Sequence, residues 1–286
     1  MPSVLITGGT GLVGTAVKTL LEAKGYEVVL LSRSKSSIKG QAHWDINAGT
    51  IDSTAIAEAD YIIHLAGAGV ADKRWSESRK QEILDSRTKS SALLVKALQE
   101  NPNKVKAVIS ASAIGWYGPD QMNTHNNEGT AQGFVETDPS YPDFLGTTCA
   151  AWEASIAPVT ANTNGLQKRL VCLRTGIVLS KNGGALKEFL KPLAVRMAAV
   201  LGNGKQMISW IDGRDLAKMF VYAIENQNLS GSYNAVAPAP VSNKTLTQTL
   251  ANVLYGKFYI TTYVPSFVLK IMLGEMSIEV LKSTTV

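Results

Sequence analysis

Two different spacings of apolar residues alternate along the first two-thirds of the chain. Short apolar runs rich in β-branched residues predict buried strands. These runs are VLIT (4–7), EVVLLSR (27–33), YIIHLAG (61–67), VKAVISAS (105–112) and KRLVCLRTGIVLS (168–180). Segments with apolar residues at helical spacing, such as 12–25 and 76–100, lie between them. Strands that alternate with helices in this way predict a parallel sheet covered by helices on both faces.

The pattern becomes less regular after residue 180. The predicted elements of this part are helices at 185–200, 213–227 and 243–255 and a strand at 232–237. We therefore expect an α/β fold, with a doubly wound parallel sheet in residues 1–175 and a smaller α+β region in residues 176–286 that is interleaved with it. Ligands of such sheets bind at the carboxyl ends of the strands. The loop at 118–143, which is rich in Gly, Asn, Pro and Asp, is expected at this edge.

The segment TGGTGLVG (7–14) places Gly8, Gly11 and Gly14 between a predicted strand and a predicted helix. Glycine permits a tight turn at the first position, a close backbone approach to a pyrophosphate at the second and contact between helix and strand at the third. The N-terminus of the following helix then offers free N–H groups to phosphates. Such glycines also occur in ordinary tight turns, but the strand–turn–helix context favours a dinucleotide-binding loop.

The end of the second predicted strand discriminates between NAD and NADP. A carboxylate there would bind the ribose 2′-hydroxyl of NAD. The chain instead has Ser32, Arg33 and Ser34, and it has no acidic residue between Glu27 and Asp45. Arg33 can pair with a 2′-phosphate, with a hydroxyl on each side of it. An arginine after a strand is also common on protein surfaces, so the sequence favours NADP(H) over NAD(H) without excluding the latter.

Composition and charge narrow the class of protein. Hydrophobic residues make up 45% of the chain and charged residues 18%, which is typical of globular proteins. The net charge is +5, but the basic residues are scattered, and the densest cluster (73–80) also contains Glu77. We therefore expect no nucleic-acid partner.

Cys149 and Cys172 have no metal-ligand spacing, so no metal site is expected. No apolar run reaches the 18 or so residues of a membrane span, and we expect a cytoplasmic protein without a membrane partner.

Six motifs, in this order, resemble the extended short-chain dehydrogenase/reductase superfamily. They are TGGTGLVG (7–14), SRS (32–34), HLAG (64–67), SASAIGWYG (110–118), LRTGIVLS (173–180) and WIDGRDLA (210–217). ADKRWSESRKQEILDSR (71–87) and CAAWE (149–153) resemble, more narrowly, the atypical "epimerase family" group of NAD(P)-dependent epimerases and dehydratases. The resemblance covers nearly the whole chain. Relatives of this kind continue for a short segment beyond the position of LKSTTV (281–286).

The resemblance implies a Rossmann domain that binds NADP(H) and a C-terminal region that closes over a small-molecule substrate. The cofactor-binding residues that it implies, with the SRS motif included, are Gly8, Thr10, Gly11, Leu12, Val13 and Gly14 for the pyrophosphate, Ser32, Arg33 and Ser34 for the 2′-phosphate, Leu65, Ala66 and Gly67 for the adenosine half, and Ser110 and Ala111 for the nicotinamide side. Ser86, beside Arg87 on the long predicted helix, is a further candidate for cofactor binding. The apolar stretch 265–274 is a candidate surface for a homodimer.

The stretch DFLGTTCAAWE (143–153) lacks the usual proton donor of the superfamily. Typical members carry a Ser or Thr, a Tyr and, four residues after the Tyr, a Lys that lowers the pKa of the Tyr hydroxyl. If Glu153 matches the glutamate that commonly follows this Lys, Leu145 stands at the Tyr position and Cys149 at the Lys position. Leucine carries no proton, and a neutral thiol supplies no cation.

Three alternatives for the chemistry remain open. Ser112 keeps the position of the first catalytic residue, and Tyr117, five residues later, is the candidate proton donor, although a tyrosine in a W-Y-G turn is more often a pocket wall. A substrate with an activated double bond would instead need no acidic side chain, since solvent can supply the proton. The third alternative is a sensor or regulatory protein that binds NADP(H) without turnover.

Overall fold

A computed structural model of the chain describes residues 1–34, 38, 40–120, 133–162 and 167–286. Part of the predicted loop at 118–143, from residue 121 to residue 132, lies outside the described residues. The strands are β1 (Ser3–Thr7), β2 (Glu27–Ser32), β3 (Gln41–Asp45), β4 (Thr50–Ile51), β5 (Tyr61–His64), β6 (Ala107–Ala113), β7 (Arg169–Thr175), β8 (Ile177–Ser180), β9 (Gly183–Gly184), β10 (Met197–Leu201), β11 (Met207–Ile208), β12 (Trp210–Asp212), β13 (Gly231–Ala235), β14 (Val241–Ser242) and β15 (Ile260–Val264).

The α-helices begin and end close to the apolar periods of the sequence. They are α1 (Leu12–Ala23), α2 (Ser53–Glu58), α3 (Glu77–Glu100), α4 (Phe144–Ile156), α5 (Ala185–Leu193), α6 (Gly213–Glu225), α7 (Asn243–Tyr255), α8 (Ser266–Leu273) and α9 (Ser277–Leu281). Short 3₁₀ turns follow β6, α4 and α8. Among the described residues, no helix has both the length and the apolar character that a membrane crossing needs.

The main sheet has the order β13, β7, β6, β5, β1, β2, β3, β4, and its pairs are parallel except that of β3 with β4. The chain runs outward from β1 to β2 and β3, then crosses to the other side of β1 to form β5. The direction of the chain reverses between β1 and β5, and in sheets of this kind the ligand crevice is expected at the carboxyl ends of the strands at that point. The predicted doubly wound α/β fold is confirmed.

Helices cover both faces of this sheet. Val4 and Ile6 of β1 pack toward α1 and α6, and Leu5 packs toward α2 and α3. Alternate residues of a strand point to opposite faces, so a strand that is buried on both sides is apolar at every position. This is why the first strand appears in the sequence as an unbroken apolar run.

Two predicted elements were wrong in detail, and one strand was not predicted. The run 168–180 is two strands, because the chain turns away at Gly176, where a Cβ would lie 2.6 Å from the Ser209 carbonyl oxygen. The helix predicted at 185–200 ends at Leu193; Arg196 then takes a positive φ of 59°, and β10 follows. The strand β3, which covers QAHWD, was not predicted.

The C-terminal region contributes to the main sheet as well as forming its own small sheets. The helix α6 packs on α1, and β13 pairs with β7 at the sheet edge. The pairs of β10 with β15 and of β11 with β14, and the sheet of β12, β8 and β9, stand apart from it. The division at residues 175 and 176 stays a prediction.

Phe220 provides a test of the α6 face of the core. Its side chain is fully buried in the cluster that joins α1, α6 and the sheet. We expect Phe220→Ala to lower the free energy of unfolding by about 3–5 kcal/mol, because the substitution leaves a cavity. Urea denaturation measures this change. Tyr222→Ala, at a position on the same helix that is 58% exposed, should cost less than about 1 kcal/mol. Equal losses in the two variants would contradict the packing of α6.

Candidate functional site

The glycine-rich loop joins β1 to α1 at the crevice. Gly8 has a φ of +68°, and a Cβ there would lie 2.8 Å from the Leu65 carbonyl. A Cβ at Gly14 would overlap the Gly8 carbonyl oxygen. The Gly11 N–H donates to the Gly8 carbonyl over 3.1 Å and closes the turn. No side chain caps the N-terminus of α1, so its first N–H groups are available to an anion.

Thr7 joins the ends of the two strands that border the crevice. Its hydroxyl oxygen accepts the N–H groups of Leu65 and Ala66, each over 3.1 Å, and pairs with His64 Nδ1 over 2.7 Å. Because the oxygen accepts two bonds, the Thr7 O–H donates to Nδ1 and the imidazole carries its proton on Nε2. That Nε2–H donates to Ser91 Oγ on α3 over 3.0 Å. Burial lowers the His64 pKa to about 3, so the ring is neutral.

Polar side chains of α3 and the segment before it hold the loop that follows β5. The four bonds run from Trp75 Nε1 to the Val70 carbonyl (2.9 Å), from Arg79 Nη2 to the Gly69 carbonyl (2.5 Å), from the Ala68 N–H to Ser86 Oγ (2.9 Å) and from Arg87 Nη1 to the Ala68 carbonyl (3.0 Å). Because Ser86 also donates to the Ile83 carbonyl, its hydroxyl is engaged within the fold. Its predicted contact with the cofactor stays a prediction.

The SRS motif lies at the carboxyl end of β2, next to the glycine-rich loop. Arg33 and Ser34 are exposed, and Ser32 Oγ accepts the Ser34 N–H over 3.2 Å. Among the described residues, no carboxylate pairs with Arg33. The position suits the 2′-phosphate of a dinucleotide whose pyrophosphate lies on α1.

Both candidate catalytic hydroxyls belong to a buried polar network beneath the end of β6. Ser112 Oγ donates to Glu153 Oε1 over 2.6 Å, and Arg174 binds both carboxylate oxygens of Glu153 at 2.9 and 3.0 Å. Tyr117 OH accepts from Arg174 Nη1 over 3.0 Å and donates to Asn234 Oδ1 over 2.8 Å. In the described part of the chain, these two hydroxyls therefore point at internal partners.

The electrostatics of the network make Tyr117 a weak acid. Burial raises the pKa of the Tyr117 hydroxyl, and the neighbouring Arg174 opposes this only in part. The Arg174 guanidinium stacks on Trp116, with its Cζ 3.7 Å from the ring centre. The roles of Ser112 and Tyr117 in proton transfer stay predictions.

Leu145 and Cys149 lie on α4, against the turn that follows β6, and their match to the Tyr and Lys positions of the superfamily stays a prediction. A Cβ at Gly115 would lie 3.2 Å from Leu145 Cβ and 3.6 Å from Cys149 Sγ. Burial raises the pKa of the Cys149 thiol to about 12, so the thiol is neutral and a poor nucleophile. Ser110 and Ala111 precede this point on β6, and Ser110 is almost fully buried.

Sequence reasoning missed the ion pair of Glu153 with Arg174. An arginine inside the apolar run RLVCLRT was the available signal, because a buried charge needs a partner. The partner lies 21 residues away on another element, and no periodicity indicates it. Among the described residues, no group of three or more His, Cys, Asp or Glu side chains could hold a metal ion.

Comparisons with known proteins agree with this architecture. A model of the NAD dependent epimerase/dehydratase family matches residues 4–236. The epimerase family protein ML0860 of Mycobacterium leprae is 32% identical over 277 residues, which are 96% of this chain and 84% of the relative.

Two solved structures illustrate the similarity of the fold. The crystal structure of human epimerase family protein SDR39U1 (isoform 2) with NADPH has a TM-score of 0.84 and 30% identity, over 99% of this chain and 90% of that one. The UDP-glucuronic acid 4-epimerase of Bacillus cereus, in complex with UDP-glucuronic acid and NAD, has a TM-score of 0.73 and 18% identity, over 92% and 86%. This second likeness concerns the fold alone.

His64 should make stability depend on pH. Its folded pKa of about 3 is lower than the ordinary value of 6.5, so between these values the unfolded chain binds the extra proton. Stability is therefore fully present above pH 6.5 and falls as the pH drops. When the pH falls from 7.5 to 5.5, we expect protonation of His64 in the unfolded chain to lower the free energy of unfolding by about 1.4 kcal/mol.

Urea denaturation at the two pH values measures this loss. His64→Gln keeps an amide that can bond to Thr7 and Ser91 but does not titrate, so its loss should be smaller by that amount. Identical losses in the two proteins would show that His64 is not buried as a neutral ring.

Proposed function

The chain belongs to the NAD dependent epimerase/dehydratase family, and on that premise we propose that it binds NADP(H) and acts as an oxidoreductase or epimerase-like enzyme on a small substrate. One observation carries the proposal. A glycine-lined turn and an uncapped helix N-terminus lie at the point where the strand order reverses, with Arg33 at the end of the neighbouring strand. The NADPH in the structure of the human relative supports the same cofactor.

The residues at the crevice fit such a dinucleotide. Side chains at Gly8 and Gly14 would clash with backbone, and glycine there leaves the tight turn that lets a pyrophosphate approach the first turn of α1. We assign the pyrophosphate to residues 8–14 and the 2′-phosphate to residues 32–34. Bound there, the cofactor supplies hydride chemistry, while this chain supplies binding, orientation and the surrounding charges.

A second candidate function is a sensor or regulatory protein that binds NADP(H) without turnover. The position of Leu145 and Cys149 at the end of β6 favours it, because leucine carries no proton and the neutral thiol supplies no cation there. The internal bonds of Ser112 and Tyr117 favour it as well. Proton supply from solvent keeps the enzymatic function open for substrates that need no acidic side chain.

Arg33 is expected to select NADPH. Calorimetric titration should show NADPH binding at least about tenfold more tightly than NADH, because a charge-assisted contact to the 2′-phosphate contributes about 1.5–3 kcal/mol. Arg33→Ala should remove this preference. The matched control is Arg196→Ala, an exposed arginine outside the main sheet that stacks on Tyr255, and it should bind both cofactors as the wild type does. Equal affinities for NADPH and NADH in the wild type would rule out the assignment of Arg33.

Turnover is tested with a library of carbonyl and enone compounds added to the NADPH-loaded protein. We expect at least one compound to oxidise the bound cofactor. The loss of NADPH fluorescence measures this oxidation. With such a compound as the substrate, the rate of cofactor oxidation by the Tyr117→Phe variant shows whether Tyr117 is the proton donor. A fall in rate of about 100-fold or more is the size expected for a general acid, whereas an unchanged rate leaves solvent as the donor. If the library contains no such compound and a partner protein binds only the NADPH-loaded form, the regulatory function is correct.

A further inference from the structure

A groove runs along β7 from the amino end of the main sheet, and we call it the amino-end groove. Residues 168–170 and 172 at the start of β7, residues 230–232 at the start of β13 and the second half of α4 line it. Its volume is about 550 Å³, which is within the range of small-molecule sites. The cofactor crevice is expected between β1 and β5, on the far side of β6. The two places are therefore separate.

The middle of the groove is apolar and already shaped. Helix α4 and the turn after it contribute three small side chains at helical spacing, which are Ala150, Ala154 and Ala157. Trp116 also lines the groove, and its Nε1 donates to the Asp138 carbonyl over 2.9 Å. The Arg174 guanidinium lies on the same ring, with Cζ 3.7 Å from the ring centre. An apolar ligand would therefore meet side chains that need little further ordering.

Two partly buried cations line the groove where β7 begins. The Lys168 ammonium has no ion pair or hydrogen bond among the described residues. Arg169 donates to the carbonyls of Leu229 and Ile224 over 3.0 and 3.3 Å, and no carboxylate of the described chain pairs with it. Burial lowers the pKa of both side chains, because a cation that leaves water without a counter-ion is costly. An anion in the groove would offset this cost.

The carboxylates close to the groove already have partners. Glu153 lines it, but Arg174 binds both of its carboxylate oxygens, at 2.9 and 3.0 Å. Glu225 follows Ile224 at the end of α6, and it pairs with Lys24 over 2.8 Å. In the described part of the chain, neither carboxylate neutralises the two cations, so this end of the groove is positive.

We propose that the amino-end groove binds a small amphiphilic anion, with a carboxylate, sulfonate or phosphate group at Lys168 and Arg169 and an apolar body between α4 and Trp116. Ammonium and guanidinium groups bind such oxygens through charge-assisted hydrogen bonds. The three alanines leave space for a ring or an acyl chain beside them. Because the groove is separate from the cofactor crevice, the proposal does not rest on NADP(H) binding.

The test of the charge uses two fluorescent probes with the same apolar body. These are 8-anilinonaphthalene-1-sulfonate, which carries an anionic group, and N-phenyl-1-naphthylamine, which carries none. We expect the sulfonate to bind about tenfold more tightly in fluorescence titrations, which is the size of one charge-assisted bond. Lys168→Met should remove most of this difference and leave binding of the uncharged probe within about twofold. The matched control is Lys187→Met, at an exposed lysine of α5, which should bind both probes as the wild type does.

A second pair of variants locates the bound probe. Ala154→Phe places a large ring in the groove from an exposed position of α4, so the fold should tolerate it. We expect it to weaken both probes about tenfold or more, because the ring takes the space of the apolar body. Ala92→Phe, at an exposed position of α3, should leave both affinities unchanged. Thermal unfolding checks that each variant is folded, and Ala154→Phe carries the test where Lys168→Met does not fold.

Three outcomes overturn the proposal. The wild type could bind neither probe, or it could bind both with equal affinity, which would leave the cations without a role. A folded Ala154→Phe variant could also bind the sulfonate as the wild type does, which would assign the probe to another surface, such as the exposed apolar residues Phe258 and Phe267. NADPH binding to Ala154→Phe should equal that of the wild type, and a parallel loss of NADPH and sulfonate binding would contradict the separation of the two sites.

Discussion

The bond between the ends of β1 and β5 is the constraint on which the crevice depends. The Thr7 hydroxyl holds the N–H groups of Leu65 and Ala66 and, through His64, reaches Ser91 on α3. The last backbone bond between these two strands runs from the Leu65 N–H to the Thr7 carbonyl over 3.2 Å, so beyond it a side chain must hold the loops that leave them. Because Gly8 touches the Leu65 carbonyl region, a shift of either loop would close the space for a pyrophosphate. The neutral, buried imidazole is therefore structural.

A second buried network determines what the residues after β6 can do. Glu153 receives bonds from Arg174, Ser112 and Ser232, and Arg174 continues to Tyr117. Removing one partner of such an ion pair typically costs about 3–5 kcal/mol, because the other charge stays buried without compensation. The hydroxyls at Ser112 and Tyr117 stabilise this pair, and a proton leaving either one would disturb it. The fold can therefore require the hydroxyls of Ser112 and Tyr117 whether or not they take part in proton transfer.

The sequence predicts the parts of this molecule that rest on local pattern. The strand β1, the glycine-rich loop and α3 follow from apolar period and from conformations that need glycine. The break at Gly176 and the strand β10 could not be predicted, because contact with Ser209 and pairing with β15 are tertiary features. The same holds for Arg174 and Glu153, whose pairing joins β7 to α4.

The two arginines of the crevice differ in what burial allows them to do. Arg33 is exposed, so water and salt would screen its proposed bond to a 2′-phosphate, and we expect that bond to discriminate between cofactors more than to tighten binding. Arg87 is partly buried and is held by the Ala68 and Ile83 carbonyls and the Trp152 ring, so it fixes the loop that follows β5. The proposed contacts of the cofactor, at the glycine-rich loop and at Arg33, do not use the hydroxyls of Ser112 and Tyr117, so affinity for the cofactor is expected to be independent of the chemistry at the end of β6.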